Sequence, residues 1–198
     1  MSLSDFEEVT ALGEAVDEWS ISGIVRTMVP LLALLSLLQM GSGTVLETFE
    51  EQLLTHPSLL VLVPVFIGTA GNLGSIMSSR LSTQLHLGTL ELSLENRAIR
   101  STVGAIFALA GTVFILLGIA AWAIGRALGG TLTLVQILFI SVASGALLAV
   151  FVVIITLVTV VLSYRFGYDP DDMTIPIVTN VCDVTGVLIL FGVVSLVL

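Results

Sequence analysis

One carboxylate stands out. Asp183 lies in the stretch TNVCDVTGVLILF, residues 179–191, with fifteen largely apolar residues between it and the end of the sequence. A charged side chain near mid-membrane costs roughly 2.5–3.5 kcal/mol on insertion scales, so it is read first as functional. Pro176, Thr179, Asp183 and Gly186 follow i, i+3, i+7, i+10 spacing, which puts them on one stripe of a helix, with Asn180 beside it. The other faces are Val, Leu, Ile and Phe. At 1.5 Å per residue, the carboxylate lies roughly 12 Å from a helix start at Ile175. A stripe of this kind faces a helix seam or a wet cavity, and its oxygen atoms suit a hard cation.

A second polar stripe lies upstream. Pro64, Gly68, Gly71, Asn72, Ser75, Ser78, Ser79 and Ser82 share one broad helical face. The Gly-Asn-Leu-Gly run within it is expected to weaken the helix locally and free backbone carbonyls to face an ion. The competing reading is a small-residue packing seam, to which Asn72 adds a polar group that packing does not need. A hard cation takes oxygen ligands, which both stripes can offer. A site for Zn²⁺ or Cu would more often show Cys, Met or His. His56 and His86 have no companions at metal-ligand spacing, and Cys182 sits in an apolar run as a small hydrophobe. Asp169, Asp171 and Asp172 cluster just before the stripe of Asp183. They read either as solvated charge at a helix N-terminus or as a cation vestibule. No Ser/His/Asp set, Walker loop or HExxH is present, so the chain is not expected to be an enzyme.

The elements that must position these residues are apolar helices. The 198 residues are 56% hydrophobic and 11% charged, with mean hydropathy +1.12. A spanning helix needs roughly 20 apolar residues. Five such runs are expected, at 24–46, 58–79, 102–124, 132–164 and 175–198, the second continuing as helix to 87. The fourth is over-long and must tilt or include an interfacial turn. Small residues in the third (Gly104, Ala108, Gly111) and fourth (Ser141, Ser144, Gly145, Ala149) permit close helix packing. The acidic residues 1–22 form an N-terminal segment, part of which could lie as an amphipathic helix on the membrane; residues 23–198 form the membrane domain. All six basic residues are Arg against fifteen acids, and the net charge of −9 argues against nucleic acid and anionic head groups as partners. With loops alternating between sides, Arg26, Arg80, Arg97, Arg100 and Arg165 fall on one side and Arg126 on the other. The positive-inside rule then gives a cytoplasmic N-terminus and an external C-terminus in a multi-pass plasma-membrane protein.

Two motifs resemble a known family. PVFIGTAGNLGSIMSSRLST, residues 64–83, is similar to the second-span signature of the MgtE and eukaryotic solute-carrier Mg²⁺ transporters. DPDDMTIPIVTNVCDVTG, residues 169–186, resembles the MgtE loop and fifth helix. The chain reads as a single-domain, archaeal-type member. The resemblance implies a dimeric divalent-cation channel or transporter, with Mg²⁺ the principal ion and Mn²⁺ or Co²⁺ further candidates. By position, Asp183 matches the pore aspartate, Thr179 a backbone-carbonyl contributor, Asn72 the Asn of the second helix and Asp169 the acidic residue at the cytoplasmic mouth; Asn180 joins this candidate metal set from the Asp183 helix. Mg²⁺ is the transported ion, and no cofactor is expected. The chain departs from bacterial MgtE in having about 22 residues, not large cytosolic sensing domains, before its first span.

The expected architecture is therefore all-α: a polytopic membrane protein of five transmembrane helices, forming a two-fold dimer with a central pore lined by the second and fifth. One carboxylate per chain does not balance Mg²⁺, whereas two related by a dyad do, and C₂ is the commonest oligomer symmetry. A heterodimer with a paralogous half satisfies the same charge argument. Two readings compete: a Na⁺- or H⁺-coupled cation exchanger, and a non-transporting membrane scaffold subunit.

Overall fold

The computed structural model describes residues 21–88, 96–166, 168 and 170–198. The amphipathic segment expected before residue 20 lies outside them. Among the described residues the chain forms six helices: α1 (Ile21–Thr48), α2 (Glu50–Thr55), α3 (Pro57–His86), α4 (Arg97–Ala127), α5 (Leu134–Phe166) and α6 (Pro170–Val197). All but α2 are long and apolar enough to cross a membrane, which bears out the five expected spans.

Local chemistry sets the helix ends. Pro57 opens α3, where its missing N–H removes a donor that would have no helical partner anyway. Asn96 caps α4 by accepting from the Ala98 N–H at 2.8 Å. Thr133 and Gln136 form a reciprocal cap for α5: the Thr133 N–H donates to Gln136 Oε1 at 2.9 Å and the Gln136 N–H to Thr133 Oγ1 at 3.3 Å. Gly129, at φ +85°, reverses the chain after α4, and the Gly130 N–H then reaches the Gly125 carbonyl at 2.7 Å.

Some helices run past the apolar windows read from sequence: α1 by three residues at its start, and α4 by five at its start and three at its end. At 33 residues, α5 is roughly 50 Å long, well beyond a hydrocarbon core of about 30 Å. The connection after α1 carries Glu50 and Glu51 and contains α2, whose Leu53 turns inward and is buried while Leu54 is exposed.

Spans α3, α4, α5 and α6 form a ring in which each packs on the next, with α3 also touching α5 across the middle. Phe66 and Phe114, with ring centroids 4.8 Å apart, fill its centre. Gly145 of α5 lies directly beneath the Phe114 ring, and Ser141 Oγ donates to the Phe114 carbonyl at 2.6 Å. Small residues of the fourth span thus pack as expected: Ser141, Ser144, Gly145 and Ala149 are all buried. Those of the third do not. A methyl on Gly104 or Gly111 would meet nothing within 4 Å, and Ala108 is exposed; the close approach is made by Gly118, against Leu138 and Ser141.

Gly145→Ala drives a methyl into the Phe114 ring, a rigid plane held by its own neighbours. The expected loss is about 1–3 kcal/mol, or roughly 2–4 °C of thermal midpoint per kcal/mol for a chain of this size. Melting the purified variant in detergent checks this, with Gly111→Ala, which enters open space, as the unaffected control.

Candidate cation site

The site sits on α6, with α1 on one side of it and α3 on the other. Asp183 is 13 residues into the 28-residue α6 and is the one carboxylate far from a helix end among the described spans. It is half-buried. Its Oδ2 accepts from Gln39 Nε2 of α1 at 3.1 Å. Its Oδ1 is enclosed and has no hydrogen-bond partner. Opposite stands Gly71 of α3: a methyl built there would lie 2.5 Å from Asp183 Oδ1 and 2.8 Å from Thr179 Cγ2. One turn on, a methyl on Gly74 would lie 2.7 Å from Val178 Cγ1 and 3.4 Å from Cys182 Sγ. The two glycines therefore let α6 lie directly against α3. That is the local role of the Gly-Asn-Leu-Gly run, and α3 is unbroken helix through it. Carbonyls that lose a helical donor arise instead from Pro64 and Pro176, which withdraw the N–H that Leu60 and Asp172 would otherwise receive.

Of the sequence-predicted residues, the structure brings Asp183 and Thr179 together on one face, both against Gly71. Asn180 is half-buried beside them, and its Nδ2 donates to the Pro176 carbonyl at 2.8 Å. Asn72 is exposed; its carbonyl accepts from Ser75 Oγ at 3.0 Å. Asp169 lies outside the described residues. Cys182 is buried as a small hydrophobe. His86 is exposed, with Nδ1 3.1 Å from the Ser82 carbonyl oxygen, and His56 lies between α2 and α3. Among the described residues no three His, Cys, Asp or Glu side chains gather as a metal cluster.

The single broad stripe expected on the second span divides in two. Gly71, Ser78 and Ser82 are buried, toward the other helices of the chain; Pro64, Gly68, Asn72 and Ser79 are exposed. Two contributors were missed in the sequence. Gln39 is the lone carboxamide in the run LLALLSLLQMGSG, and a polar amide inside an apolar span was the available signal. Gly71 was seen as part of a stripe, but its direct approach to Asp183 was not visible.

Geometrically this is a carboxylate held from one side by a neutral amide and bordered by Gly71 and Thr179. Such a group attracts a hard cation. Comparison with known proteins points the same way. The family model described as MgtE, divalent cation transporter, matches residues 63–193. The chain is 29% identical over 168 residues to the magnesium transporter MgtE of Thermus thermophilus, covering 84% of this chain and 35% of that protein. It is 28% identical over 176 residues to solute carrier family 41 member 3 of Rattus norvegicus, covering 86% of this chain and 38% of that one. The chain thus spans little more than a third of the length of these relatives. A match over about two thirds of the sequence, taking in both the Gly71 approach and Asp183, shows that this chain belongs to the MgtE family of divalent cation transporters.

Proposed function

We propose that the chain conducts divalent cations across the plasma membrane, principally Mg²⁺, through a pore bordered by α3 and α6, with Asp183 meeting the hydrated ion. The observation that carries this reading is the mid-span carboxylate of Asp183, half-exposed beside Thr179 and backed by Gly71. Thr179 and Asn180 add oxygen donors on the same helix, Asn72 adds one on α3, and Asp169 gathers cations at the cytoplasmic mouth. Family membership supports the cargo class, and the similarity to a magnesium transporter favours Mg²⁺. The arginine distribution supports a cytoplasmic N-terminus and an external C-terminus.

The working unit in this reading is a dimer. The exposed polar and small residues Pro64, Gly68, Asn72 and Ser79 make a poor lipid surface and a suitable seam for a second copy. A dyad along that seam supplies the second Asp183. In a Cys182→Ser background, Asn72→Cys is expected to crosslink into a species of twice the mass under mild oxidation. No crosslinking from position 68, 72 or 79 would put this face against lipid.

The function is tested with the purified chain in liposomes. Mg²⁺ influx that accelerates with an inside-negative voltage is the expected result, since two charges moving through the field gain roughly 4.6 kcal/mol per 100 mV. Absence of flux from a folded, inserted protein would favour the scaffold reading, and collapse of flux with the Na⁺ or pH gradient at fixed voltage would favour a coupled exchanger.

A further inference from the structure

α1 is the least embedded of the five spans. Leu35 is its one buried side chain among those described, and it packs only on α6 and the short α2. A helix seated so lightly has no packing need for a carboxamide, and an amide removed from water is unfavourable unless hydrogen-bonded. Gln39 nevertheless points its Nε2 at Asp183 Oδ2, 144 positions away in sequence, at 3.1 Å. On the far side of the carboxylate, Gly71 leaves just enough room for Oδ1. The carboxylate is thus tethered at one oxygen by α1 and bounded at the other by α3. Turning it requires breaking the amide contact.

We propose that Gln39 is a positioning residue for cation transport: its amide fixes the direction in which the Asp183 carboxylate meets the ion. This rests on the reading of Asp183 as the group that binds the cargo. The amide suits the task because it is neutral. A hydrogen bond to an ionised acceptor is stronger than one between neutral groups, yet an amide donor leaves the full negative charge for the cation. A guanidinium or ammonium at the same place would orient the carboxylate and cancel its charge. Orientation matters more for Mg²⁺ than for an ion that sheds its water. Contacts through its retained water shell depend on where the carboxylate oxygens point, and fixing them beforehand removes an ordering loss from binding.

Gln39→Leu keeps a side chain of similar bulk and removes the donor. In proteoliposomes it is expected to raise the KM for Mg²⁺ about ten-fold while the maximal rate stays within about two-fold. Gln39→His, which keeps an N–H of similar reach, should restore most of the affinity. Gln39→Arg should instead depress the maximal rate, because it neutralises the site. Mg²⁺-dependent elevation of the thermal midpoint gives the same ranking without transport, and in an Asp183→Asn background Gln39→Leu should add nothing to it. Unchanged KM in Gln39→Leu, or a Gln39→His protein as impaired as Gln39→Leu, overturns the proposal; the His and Arg variants decide it if the Leu variant does not fold. The two readings separate cleanly. Intact uptake in Asp183→Asn removes the site itself, whereas lost uptake in Asp183→Asn with normal KM in Gln39→Leu removes only the role of Gln39.

Discussion

Asp183→Asn is expected to cut Mg²⁺ uptake into proteoliposomes by at least about 100-fold, equivalent to ~2.7 kcal/mol, while leaving the fold intact. The reasoning is electrostatic. Among the described spans no other carboxylate lies away from a helix end, so no neighbour can take over its charge. A neutral amide offers a divalent ion a dipole in place of a charge, in surroundings where charge interactions are screened less than in water. The fold survives because Asn keeps the shape, and its carbonyl can still accept from Gln39 Nε2 where Oδ2 does now. An unchanged elution profile and thermal midpoint would separate lost conduction from misfolding. Uptake within about two-fold of the parent chain would move the cation site elsewhere. Asn72→Ala is expected to do less, since an exposed neutral side chain contributes less to a divalent ion than a carboxylate.

Gly71→Ala is the second large effect, and it comes from a single methyl. Placed 2.5 Å from Asp183 Oδ1 and 2.8 Å from Thr179 Cγ2, the added carbon cannot stay without moving one of them. Both are ends of side chains, so the displacement falls on the site and not on the core. Uptake is expected to drop at least about ten-fold, with a smaller loss of thermal midpoint than Gly145→Ala, which meets an enclosed aromatic ring. The helix itself favours Ala over Gly by roughly 0.5–1 kcal/mol, which partly offsets any strain. Gly43→Ala, which meets nothing within 4 Å, should leave both readouts unchanged. A Gly71→Ala protein that transports normally would show that the carboxylate has room to retreat, and that its present position is not the conducting one.

Much of this was legible in the sequence, and the parts that were not share a cause. Apolar windows of spanning length are a one-dimensional property, so the five spans and their order could be read directly. The Asn96 cap starts α4 five residues before the expected window, whereas the Thr133–Gln136 cap starts α5 at Leu134, two residues inside it. Asp183 and Thr179 were found because a charge and its neighbours on one helix obey a simple period. The Gly-Asn-Leu-Gly run was read as a weakness because glycine lowers helix propensity. Its use is set by α6, packed against it, and no local signal carries that. Gln39 escaped for the same reason: its partner is on another helix, 144 positions away. The outward turn of Asn72 likewise depends on how α3 is rotated in the ring, which the breadth of its polar stripe concealed.

The slight hold on α1 has a consequence for how the protein is made. Gln39 and Phe49 come off the ribosome early, but what they join, Asp183 and Phe191, belongs to α6; the two rings stack with centroids 4.2 Å apart. At about 5–20 residues per second, the 144 residues that separate Gln39 from Asp183 take roughly 7–30 s to synthesise. For that interval α1 sits in the bilayer with its amide lacking its eventual acceptor, while α3, α4 and α5 are laid down and begin to pack. The carboxylate, in turn, enters the membrane where its donor is already waiting. Biogenesis therefore closes the site last, and a nascent chain halted before α6 would hold a membrane-inserted α1 with nothing to dock on but the short α2.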